Sequence, residues 1–165
     1  MAISLVLAMM SGCAMPQGTT EAASAVAPAA RYFDPSRNAA ADVDGALAAA
    51  QASGKHVLLI LGGDWCHDSI ALANLFHSER FAAMLAPRYE LVWVHVPRAS
   101  AERDTALVRR FGLERIEGTP TVLILNPAGQ AINLADAPTW RNAASRKPAA
   151  IYRHFARAVP PAVTN

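Results

Sequence analysis

The residues Trp65-Cys66-His67-Asp68-Ser69 carry the chemistry this chain most plainly offers. They follow an apolar run, Val57-Leu58-Leu59-Ile60-Leu61, and open a stretch with helical spacing, so that a strand delivers a thiol to a helix start. Unpaired amide N–H groups and the positive end of the helix dipole favour a thiolate there, which makes Cys66 a candidate nucleophile. A free cysteine also suits a core as a small hydrophobe, but His67 and Asp68 would be awkward neighbours in one. The expected reaction is attack of the Cys66 thiolate on a disulfide or an oxidised thiol, giving a mixed disulfide. Ser69 stands where a dithiol enzyme carries its second cysteine, and a hydroxyl is too weak a nucleophile at neutral pH to resolve that adduct. Release then needs another thiol: glutathione, a second cysteine of the substrate, or a partner oxidoreductase. Ser69 can instead donate a hydrogen bond to the thiolate, or act as an ordinary first-turn helix residue. The helix start and a protonated His67 favour the thiolate while Asp64 and Asp68 oppose it, a balance that predicts a modestly lowered thiol pKa.

The elements that must hold these residues are legible as an alternation. Asp42 to Ala52 has Val43, Leu47 and Ala50 at helical spacing and is stopped by Ser53-Gly54. Val57 to Leu61 is a strand buried on both faces, ended by Gly62-Gly63. Cys66 to His77 and Glu79 to Leu85 read as helices, and Glu90 to Val96 as a β-branched and aromatic strand. Ala101 to Phe111 fits a helix with Ala106, Leu107 and Phe111 inward, stopped by Gly112. Thr121 to Leu125 and Gln130 to Leu134 flank a turn, Asn126 to Gly129, and predict a hairpin. Pro148 to Val159 closes as a helix with Ile151, Phe155 and Ala158 on one face. This order predicts an α/β domain: a central mixed sheet of about four strands, helices on both faces, a C-terminal hairpin and a final helix.

From about Tyr32 to Ala158 the chain resembles the thioredoxin superfamily. Two patterns carry the resemblance: Trp65-Cys66-x-x-Ser69 after the first core strand, and Gly118-Thr119-Pro120-Thr121 before the third. Taken alone, Pro120 would be an ordinary proline opening a strand. The resemblance implies instead a cis proline beside the reactive cysteine, with Thr119 offering its backbone to an extended substrate as an added strand. It makes Trp65 an aromatic lid over the thiol and puts Ile60 where family members carry a buried acid that serves the second cysteine. The match is with monothiol members, which isomerise, deglutathionylate or hold a client covalently, and it implies no dissociable cofactor.

Two other readings stay open: a non-catalytic scaffold that binds extended peptide at Pro120, and a copper chaperone. For copper, Cys66, His67 and His77 include suitable donor types, but Cys66 and His67 are adjacent and His77 lies three helical turns away. No metal is expected: His77 is read as a solvated helix end, His95 as a strand residue and His154 as a surface helix position.

The whole chain sets the remaining bounds. Its 165 residues, 53% hydrophobic and 17% charged, suit one domain. A net charge of +2 with scattered basic residues lacks the dense stripe that nucleic acid requires, so none is expected as a partner. Ala2 to Met10 is apolar and too short to span a bilayer, and with Ser11-Gly12-Cys13 it resembles the lipobox of bacterial lipoprotein signals. The expected organisation is a signal segment over 1–12, a tether over 13–31, a thioredoxin-like domain over 32–159 and a tail over 160–165. Cys13 would then be lipidated and lost to redox work, leaving an exported domain held on the periplasmic side of the bacterial envelope.

Overall fold

The computed structural model describes residues 31–99 and 105–162. Cys13, with the signal and tether readings, lies outside the described residues. The core strand β1, His56–Gly62, pairs in parallel with β2, Tyr89–His95, and antiparallel with β3, Thr121–Leu125, giving a mixed sheet ordered β2-β1-β3. Its central place explains the unbroken apolar run. Side chains alternate across a strand, so Leu58 and Ile60 enter one core layer while Val57, Leu59 and Leu61 enter the other.

Helices cover both faces. The second layer holds α1, Ala39–Ser53, through Val43, Leu47 and Ala50, and α4, Thr105–Arg109, through Leu107 and Val108. The first layer holds α2, His67–His77, α3, Glu79–Leu85, and α5, Pro148–Ala158, through Leu72, Phe76, Phe81, Leu85, Ile151 and Phe155. Caps fix the ends of α1: the Asn38 side chain accepts the Ala41 N–H, and Gly54, left-handed at φ 71°, donates to Ala50 O. That start lies three residues before the periodic signal at Asp42. The inward side of α4 includes Val108, while Ala106 is exposed, contrary to the expected pattern.

Instead of the expected hairpin, Gln130 to Leu134 forms only an isolated bridge, Leu125 to Ala131, and the sheet has three strands among the described residues. The physical reason is Asn133. Its side-chain carbonyl accepts the Ile124 N–H at 2.7 Å and its amide donates to Val122 O at 2.9 Å, so one side chain does the work of a passing backbone on the β3 edge. The chain then turns into a 3₁₀ segment, Ala137–Ser145, which the hydrophobic pattern did not disclose. Trp140, fully buried, anchors this segment in the first layer, and its indole donates to Asp136 at 3.1 Å. His154, expected as a surface helix position, is about one-third exposed and packs against both Trp140 and Phe155, with Nε2 3.3 Å from the Asp136 carboxylate.

Replacing Asn133 by Ala removes both bonds to β3 and should lower stability by about 1–2 kcal/mol. In urea denaturation, Ile132→Thr at the exposed neighbouring position should stay within about 0.5 kcal/mol of the unaltered chain.

Candidate active site

Cys66 is the N-cap of α2, in extended conformation at φ −103° and ψ 119°, and makes no side-chain cap hydrogen bond. A cap side chain normally accepts the N–H of the second or third helical residue. Here those residues are Asp68 and Ser69, and their backbone N–H groups favour the Cys66 thiolate. The sulfur makes its hydrogen bond elsewhere but stands at the cap position. Backbone bonds hold it there: the Cys66 N–H donates to Gly63 O at 2.9 Å, and Cys66 O accepts the Ile70 N–H at 3.0 Å.

The Thr119–Pro120 peptide bond is cis, and both residues are buried at the start of β3. The Cys66 thiol donates to Thr119 O at 3.2 Å, so the two sequence patterns, 53 residues apart, meet at one sulfur. Thr121 Oγ1 donates to Gly118 O at 2.8 Å and fixes the loop from its other side.

Burial pushes the Cys66 thiol pKa up, but the Ser69 and Thr119 side chains and the Ser69 and Asp68 amides outweigh it and leave the thiol below its ordinary value. Cys66 is partly exposed and free, so a shape-matched disulfide can reach it. Ser69 is fully buried at 0% exposure, directly behind the thiol in the chain's first helical turn. Its hydroxyl lacks a partner at ordinary hydrogen-bonding geometry, although it lies near enough to the sulfur to favour the thiolate.

Gly62 and Gly63 do more than end a strand. A Cβ on Gly62 would meet Ser69 Oγ and Phe33 Cζ at 2.7 Å each, and a Cβ on Gly63 would overlap the Trp65 indole. Bare backbone at both positions admits the Ser69 hydroxyl and the Trp65 indole. Trp65 is held by its indole N–H, which donates to Val96 O at 2.9 Å, and Arg98 lies over its ring at 5.6 Å.

The remaining expected site residues divide. His67 is exposed at the first helical position. The Asp68 carboxylate accepts the Ala144 N–H at 2.8 Å, a structural tie that sequence reasoning missed because its partner belongs to the undetected 3₁₀ segment. His77 lies at the far end of α2, about 16 Å along the helix from Cys66, with its ring near Tyr32 and Trp93 at 4.7 and 5.2 Å. That separation removes it from any shared metal site with Cys66. Among the described residues no group of three His, Cys, Asp or Glu side chains is placed to hold a metal ion, and no helix is long and apolar enough to cross a membrane.

Ser69→Ala removes a group that favours the thiolate. The pH midpoint for iodoacetamide alkylation of Cys66 should therefore rise, slowing the reaction at pH 7 by about twofold or more. Because the thiolate reacts, the rate at a pH well above the midpoint should be unchanged.

Comparison with known proteins agrees with this geometry. The pattern of a thioredoxin-like family matches residues 38–127, more than half of the chain. The fold is similar to the crystal structure of a disulphide isomerase from Xylella fastidiosa Temecula1, with a TM-score of 0.72 and 27% sequence identity over 79% of this chain and 98% of that one. No curated protein matches the sequence. The half-buried thiol at the start of α2, its contact with Thr119 ahead of the cis proline and the sequence match together place this chain in the thioredoxin-like family.

Proposed function

We propose that this protein carries out monothiol disulfide exchange. The Cys66 thiolate attacks one sulfur of a protein disulfide or a glutathione mixed disulfide; a new S–S bond forms to Cys66, and the other sulfur leaves as a thiolate that takes up a proton. Completion requires attack on that adduct by a second thiol, from glutathione, the substrate or a partner oxidoreductase. Attack falls on the substrate's sulfur, so the new disulfide joins the attacking thiol to the substrate and Cys66 returns as thiolate. No dissociable cofactor takes part.

The observation that carries this reading is the single sulfur held at the start of α2, 3.2 Å from the Thr119 carbonyl, with a buried hydroxyl at Ser69 where a resolving thiol would sit. The similarity to a solved disulphide isomerase supports protein thiols and disulfides as the substrate class. Trp65 shields the thiol on one side, His67 lies exposed beside it, and Thr119 and Pro120 supply the edge against which an extended substrate can lie. The same proposal places the domain on the periplasmic side of the envelope, tethered through a lipid on Cys13.

Ser69→Cys tests the mechanism. In the unaltered protein the mixed disulfide with a peptide should persist until an external thiol is added, whereas S69C should release the peptide unaided and form an internal disulfide, both readable by mass spectrometry after acid quenching. Spontaneous release from the unaltered protein would contradict the monothiol mechanism. Cys66→Ala should abolish every adduct; a variant that keeps its clients with undiminished affinity would favour a non-catalytic scaffold. For the anchor, Cys13→Ser should move the protein from the membrane to the soluble fraction on cell fractionation, and an unchanged distribution would refute lipidation there.

A further inference from the structure

We propose that Asp68 is a positioning residue: by accepting the Ala144 N–H it fastens the start of α2 to the 137–145 segment and so holds the Thr119 carbonyl on the Cys66 sulfur. The inference rests on the thiol exchange proposed above and assigns that site a third wall.

The contacts close a ring. From Cys66 the chain runs two residues to Asp68, whose Oδ1 accepts from Ala144 N at 2.8 Å. Three residues earlier, Arg141 lays its aliphatic stem on Gly118, where a Cβ would meet Arg141 Cβ and Cδ at 3.1 Å each. Gly118 precedes Thr119, and Thr119 O returns to the sulfur at 3.2 Å. Each link within the chain is short, so movement of one contact is passed to the next. The 137–145 segment is a firm support because Trp140 and Ala143 are locked in the core beside Leu72 and Phe76 of α2.

This geometry gives Asp68 a task other than electrostatic opposition to the thiolate. Its carboxylate is engaged by a backbone donor on another element, and that donor needs an acceptor oxygen, not a negative charge. Arg141 has the parallel property: its guanidinium lies 3.5 Å from the Glu117 carboxylate, leaving the stem as the contact with Gly118. The other ionisable groups on the elements enclosing the thiol are Asp64 and His67 beside it in sequence and Arg98 against Trp65.

The test compares Asp68→Asn with Asp68→Ala by the pH profile of Cys66 alkylation with iodoacetamide, with mixed-disulfide formation from oxidised glutathione as a second readout. Both variants lose the like charge beside the thiol, but alanine also lets the Thr119 carbonyl part from the sulfur; because that carbonyl accepts from the protonated thiol, its loss should lower the midpoint further and make alkylation at pH 7 about threefold faster in Asp68→Ala than in Asp68→Asn. Equal midpoints in the two variants would show that only the charge matters and overturn the proposal, as would an unmoved alanine variant. Gly118→Ala strains the opposite side of the ring without altering a charge, and should lower the midpoint likewise; an unmoved midpoint there overturns the proposal even if Asp68→Ala fails to fold. If the unaltered protein forms no mixed disulfide although its thiol alkylates normally, the exchange reading fails, while the alkylation profiles still decide the role of Asp68.

Discussion

The site depends on the placement of one sulfur at the start of a helix, against the Thr119 carbonyl. The first amides of α2 need an acceptor, and Cys66 is the side chain at the cap. Two opposed effects meet on that atom. Partial burial disfavours charge, whereas the Asp68 and Ser69 amides and the neighbouring hydroxyls favour it, and the second effect wins. A thiol deeper in the core would lose that contest, and one farther out would lose the donors. The position is set by β1, which is sealed between two apolar layers and therefore cannot slide or tilt without exposing Leu58, Leu59 or Ile60.

Close backbone approach then shapes the crevice. Gly62 admits Ser69 and Phe33, Gly63 admits Trp65, and Gly118 admits the Arg141 stem. These glycines serve proximity, since none is among the glycines with positive φ. Ile60, fully buried, occupies the position at which the resemblance implies an acid. Such an acid assists a second thiol, and with Ser69 in that thiol's place an apolar side chain adds to the core without the cost of burying a carboxyl group.

Much of the scaffold was legible because its signals are local. The continuous run Val57 to Leu61 needed no tertiary information to be read as a doubly covered strand, and the nearness of Pro120 to Cys66 was implied by the family resemblance that two short patterns carry. What escaped the sequence depends on single side chains acting across space. Asn133 replaces a strand with one amide group, so Gln130 to Leu134 looked like half of a hairpin. The 137–145 segment is held by Trp140 and a few polar side-chain bonds, and a 3₁₀ turn offers too few repeats for periodicity to register. Asp68 was recognised as part of the site, but its bond to Ala144 could not be seen before that segment was.

The central claim is that one accessible sulfur forms the covalent link to substrate. Its most direct measurement is to quench growing cells with acid, purify the full-length protein and identify by mass spectrometry what is attached to Cys66. The account predicts a population carrying glutathione or a cysteine peptide of another protein, removable by reductant and absent from Cys66→Ala. A bare Cys66 thiol under every growth condition, including oxidative challenge, would contradict it.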